Sequence, residues 1–195
     1  MSPLCPICIA ESGAESLGPF AASSRACRLN YHALRRRERS DLRFMEAHAL
    51  TVAAWTVQHP DPTADDSARL VGVHLVSLYA QLALGLSYAE AKRIRRQAEQ
   101  TIEFRALSLP DLPAELSVQH VVIAETPDVH RRLVEQWARS VWRAWHPHHD
   151  QVMSWARRLI SHGRVAEPPR EERAGWYAGA RNAVHPPVGR PGSEP

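Results

Sequence analysis

Apolar residues in this chain recur mainly at helical spacing. In the stretch Phe44 to Pro60, His48, Val52, Trp55 and His59 follow at steps of four, three and four, which puts them on one helix face. Pro60 ends that helix, because the residue before a proline is pushed out of helical conformation. After a polar turn to Asp66, a second apolar helix is expected over Ser67 to Leu84. Its stripe is Val71, His74, Leu75, Leu78 and Leu82, and Gly85 closes it. Ser87 and Glu90 have the spacing of a capping box for a third helix, Tyr88 to Phe104. That helix has Ile94 and Ala98 on one side and Lys92, Arg93, Arg95, Arg96 and Glu99 elsewhere, the pattern of a peripheral element. Pro110 and Pro113 exclude a long helix between 105 and 125, and Val118 to Ala124 reads equally as a short strand or a helical turn. Thr126-Pro127-Asp128 is a helix start, with proline at the first helical position and an acid at the positive end. The helix runs to about Trp145 with a stripe of Val134, Trp137, Ala138, Val141, Trp142 and Trp145, indoles whose size suits a core. His146 to Asp150 breaks it and opens a last helix ending near His162-Gly163.

The pattern predicts a mainly α fold: a helical bundle of about four to five helices over residues 31–163. A small irregular cysteine lobe (residues 1–30) precedes it, and a Pro/Gly/Arg-rich tail without apolar period (residues 164–195) follows. At 195 residues the chain is long enough to bury a sizeable core. No run of about 18 apolar residues is present, so no membrane span is expected, and the N-terminus lacks the charged start and apolar run of a signal peptide. The expected compartment is the cytoplasm.

Charge adds little. The net charge is +3 and the basic residues are nearly all arginine, with Lys92 the only lysine. A basic run, Arg35, Arg36, Arg37, Arg39 and Arg43, is relieved by Glu38 and Asp41. It has the charge to contact phosphate, but a solvated helix face is the commoner meaning of such a run. Nucleic acid is therefore ranked last among partners, behind a small molecule or a protein.

Cysteine and histidine are more informative. Cys5-Pro6-Ile7-Cys8 is a tight turn that presents two thiols, and eighteen residues separate Cys8 from Cys27. In a reducing compartment such a turn points to metal rather than to a disulfide. Zinc is the expected ion, held by Cys5, Cys8 and Cys27 in a closed site; the fourth ligand is left open by the sequence, with His32 and His48 the nearest histidines downstream and His48 the preferred one. Eleven histidines are many for this length, and several fall on apolar faces. His59, His74, His148 and His149 form a possible second cluster, in which three imidazoles and a water would resemble a catalytic zinc site. Asp150 or Gln58 would orient that water. Whether the protein is an enzyme, hydrolytic or thiol-transferring, is left open by the sequence.

The chain resembles an uncharacterised bacterial family, a domain of unknown function. The resemblance rests on Cys5, Cys8 and Cys27, on His48 to Val52, on Gln58-His59-Pro60, on Val73 to Leu75, on Trp137 to Trp145 and on His148-His149. Ile9 departs from the glycine common after the second cysteine of that family. The resemblance implies no activity. A looser, architectural likeness is to damage-inducible four-helix metalloproteins and thiol-dependent isomerases, which hold a metal with histidines from separate helices.

Overall fold

The computed structural model describes residues 23–60 and 65–162. Among these it contains eight α-helices, one 3-10 turn at His146–His148 and no strand, so the fold is mainly α as expected. Cys5 and Cys8, with most of the cysteine lobe and the whole tail 164–195, lie outside the described residues.

Helix α1, Arg25–Ser40, starts inside the segment expected to be irregular. Ser24 caps it, its side chain accepting from the Cys27 backbone N–H at 3.1 Å. Cys27, Tyr31, Leu34 and Glu38, at steps of four, three and four, form its buried face. Asp41 then turns extended and caps a separate short helix, α2 (Leu42–Met45), by accepting from the Arg43 N–H at 2.9 Å. Helix α3, His48–Gln58, follows after a turn. The single helix expected from Phe44 is thus two. Apolar residues continue across the break, so periodicity alone does not register the turn at Glu46 and Ala47.

Helix α4, Ser67–Ala83, is the centre of the bundle and packs against α3, α5, α7 and α8. Every residue from Val71 to Ala80 is buried, where the sequence pattern indicates only a stripe. A helix apolar on all sides belongs inside a core. Gly85, at φ 61°, ends the segment after it in the left-handed region that favours glycine. Helix α5, Tyr88–Thr101, carries the expected capping box and buries Ala91, Ile94 and Ala98. Val118 to Val122 is a short helix, α6, and not a strand. Helix α7, Pro127–Ala144, begins at the Thr126 cap, and α8 spans His149–His162.

Two indoles fix the end of α3 to α7. Trp137 Nε1 donates to Gln58 Oε1 at 2.8 Å, and Trp145 Nε1 donates to the Val57 carbonyl at 3.1 Å. Buried indole N–H groups need such partners. On α4, Gly72 leaves room for the Phe104 ring, which meets Trp155 edge-on at 4.9 Å. A Cβ at residue 72 would overlap that ring. Gly72→Ala is expected to cost about 1–3 kcal/mol through overpacking, measured as a lower urea midpoint with an unchanged slope.

Candidate functional site

Glu38 is fully buried in the middle of the basic run. Its carboxylate receives three side chains from two other helices. His48 Nδ1 lies 2.7 Å from Oε2, and His130 Nε2 lies 3.0 Å from Oε1. The Thr51 hydroxyl donates to Oε1 at 2.5 Å. Burial by itself would raise the carboxyl pKa, but the hydrogen bonds from His130, His48 and Thr51 outweigh it and hold the group below its usual value of 4.5. An ionised carboxylate can only accept, so both imidazoles donate to it. In its neutral form His48 therefore keeps its proton on Nδ1 and its lone pair on Nε2. His130 is wholly buried, with Phe44 edge-on at 5.2 Å.

His48 also lines a cleft of about 280 Å³ between α1, α3, α4 and α5. Arg35 and Arg39 enter it from α1, and Lys92 and Arg95 from α5. His74 and Ser77 come from α4, and Tyr88 stands at the start of α5. Among the described residues no aspartate or glutamate lines it. His74 is only 7% exposed, and burial, with the nearby Arg95 charge, pushes its pKa down to about 3. It is a neutral, polar group at neutral pH. Its Nδ1, Arg35 Nε and Arg95 Nε are buried without a hydrogen-bond partner among the described residues. A second concavity, lined by His32, Arg36 and Ser40, shares Arg35 and Arg39 with the cleft and extends its positive surface.

The basic run is thus divided among several tasks. Arg35 and Arg39 face the cleft. Arg37 donates to the carbonyls of Ala124 and Val122 at 2.6 and 2.9 Å, closing the end of α6. Arg43 pairs with Asp41 at 2.7 Å on the surface.

The expected metal ligands have separate surroundings. Cys27 is fully buried near the start of α1. His48 is attached to Glu38, eleven positions further along that helix, about 16 Å at roughly 1.5 Å per residue. His59 lies against Trp55 with ring centroids 4.0 Å apart, its Nδ1 3.2 Å from the Trp55 carbonyl. His148 Nε2 is 2.9 Å from the Ser108 carbonyl. His149 stacks on Trp142 at 3.8 Å with Nε2 2.9 Å from that residue's carbonyl, and burial pushes its pKa down to about 4. Of the four histidines expected to cluster, only His74 lines the cleft. Among the described residues no group of three His, Cys, Asp or Glu side chains is placed to hold a metal. Gln58 is buried, with Oε1 accepting from Trp137 and Nε2 donating to the Leu116 carbonyl, bonds that hold it between α3 and α7. Asp150 is exposed in the first turn of α8.

The sequence pattern does not single out Glu38, Thr51 or His130. For Glu38 a signal is present, since it continues the buried spacing of Cys27, Tyr31 and Leu34. Replacing Glu38 by Gln is expected to destabilise the fold by about 3 kcal/mol at pH 7, through the loss of charged hydrogen bonds at a buried site. The folded-state pKa is depressed, so this stabilisation is present above the unfolded value of about 4.5 and is lost as pH falls through the folded value. Urea titrations of both proteins across pH 7 to 3 should show the gap narrowing below about pH 4.5.

Among the described residues no helix is long and apolar enough to cross a membrane. No curated protein and no solved structure matches the chain. A family of unknown function, DUF5946, matches residues 4–146, a span that contains the Glu38 cluster and every residue of the cleft. By that match the chain belongs to the DUF5946 family.

Proposed function

We propose that the protein binds a small anionic molecule in the cleft between α1, α3, α4 and α5. The observation that carries this reading is the convergence of Arg35, Arg39, Lys92 and Arg95 on a cavity with no carboxylate among the described residues of its wall. Like charges at close range repel, and a low-dielectric wall on one side strengthens the effect. An anion relieves that repulsion and gives the unpaired N–H groups an acceptor. His48, oriented by Glu38, adds a ring nitrogen able to accept a proton from the bound molecule, so an enzymatic use of the cleft is part of the proposal. In a thermal-shift experiment, phosphate or citrate at ten times its dissociation constant should raise the melting temperature by on the order of 4 °C over sodium chloride of equal ionic strength. Lys92→Glu with Arg95→Glu should abolish the rise, and an identical rise in that variant would reject the reading.

A zinc site at the other end of α3 is a second reading, favoured by helix register. Glu38 meets His48 and Thr51, while Tyr31 stacks on Trp55 at 4.3 Å, so α1 and α3 run antiparallel. One turn beyond Tyr31 is Cys27, and one turn beyond Trp55 is His59. The Nδ1 of His59 donates to the Trp55 carbonyl at 3.2 Å, which fixes the plane of its ring at that level. Zinc held by Cys5, Cys8 and Cys27 would on this register take His59, rather than His48, as fourth ligand. Elemental analysis of the purified chain should then find about one zinc per molecule. Cys8→Ser and His59→Ala should lose it while His48→Ala keeps it; the reverse pattern for the two histidines restores His48.

A further inference from the structure

What such a cleft would select among anions rests on the proposed anion site itself. Two buried guanidinium N–H groups of residues that line the cavity, Arg35 Nε and Arg95 Nε, lack an acceptor among the described residues, and His74 Nδ1, donor or acceptor according to its tautomer, also has no partner there. Guanidinium groups with an N–H left unpaired favour a ligand rich in acceptors. A carboxylate carries two oxygens. A terminal phosphate carries three, in a tetrahedral array that guanidinium groups pair with side by side.

Charge points the same way. Four cations line the cleft, of which Arg95 also forms a loose ion pair with Glu99, one turn on, its Nε 3.8 Å from the carboxylate. A phosphate monoester brings a charge of about −1.5 to −2 at neutral pH, whereas a carboxylate or a phosphodiester brings one negative charge. The monoester neutralises more of the cluster.

Space and lining specify the remainder of the molecule. The cavity of about 280 Å³ has the volume of roughly nine waters at ~30 Å³ each, more than a bare phosphate fills. Ala49, Val52 and Ala91, with the Tyr88 ring, give apolar walls for a carbon skeleton. His48 contributes the opposite polarity to the arginines. With Nδ1 donating to Glu38, its Nε2 lone pair repels phosphate oxygens and attracts a hydroxyl. We infer that the cleft binds a small hydroxylated phosphate monoester, its phosphate held by Arg35, Lys92 and Arg95 beside His74 and a hydroxyl directed to His48.

Isothermal titration of the full chain tests this with glycerol phosphate, its methyl diester, glycerate, propyl phosphate and a short single-stranded oligonucleotide. Glycerol phosphate should bind at least tenfold more tightly than glycerate or the diester. Propyl phosphate, which lacks the hydroxyls, should bind several-fold more weakly than glycerol phosphate. Lys92→Gln, at an exposed position that leaves folding intact, should weaken glycerol phosphate at least fivefold. Equal affinity for glycerate overturns the phosphate assignment while the anion reading stands. Equal affinity for propyl phosphate overturns the His48 contact. Tighter binding of the oligonucleotide replaces the small molecule by a nucleic acid, and no heat with any of the five removes both this inference and the anion site beneath it.

Discussion

A carboxylate taken wholly out of water is tolerated only where donors replace its hydration. Glu38 meets that condition with three side chains, His48 and Thr51 from α3 and His130 from α7. The requirement fixes more than local geometry. It sets the register of α1 against α3, ties both to a residue 92 positions later, and fixes which nitrogen of His48 is bonded to the carboxylate. The arginines of α1 then fall where their sequence positions put them relative to Glu38: Arg35 and Arg39 towards the cavity, Arg37 towards α6.

Much of the helical framework can be read from short signals. Thr126-Pro127, Ser87 with Glu90, and Gly85 each mark a boundary by a mechanism confined to a few residues, and the structure has those boundaries. What depends on tertiary packing is less visible. His74, Ser77 and Gln81 interrupt the apolar pattern of α4, so its sequence resembles a half-exposed helix although nearly its whole circumference is covered. Glu38 sits among arginines, and its burial shows only in its spacing from Cys27, Tyr31 and Leu34. The cleft draws its charges from α1 and α5, more than fifty residues apart, and no local pattern announces that meeting. Histidine spacing suggests a cluster, but stacking on tryptophans and backbone carbonyls claims His59 and His149 separately.

The two chemical readings occupy opposite ends of one helix. At the start of α3, His48 looks into the cationic cleft; at its end, His59 lies towards the level of Cys27. Between them Thr51 and Trp55 bind α3 to α1 through a hydroxyl and a stacked ring. The two proposals therefore share a rigid strut without sharing a ligand, and either can stand if the other falls.

Lys92 is the only lysine among 195 residues, is exposed, and stands on the wall of the cleft. Apart from the α-amine, an acylating reagent finds a single primary amine on this chain, already placed at the cavity. A fluorophore or crosslinker attached there would report directly on occupancy, and a covalently captured metabolite would be localised to one tryptic-resistant bond. Composition has thus supplied the molecule with an address label that most proteins of its size would need engineering to acquire.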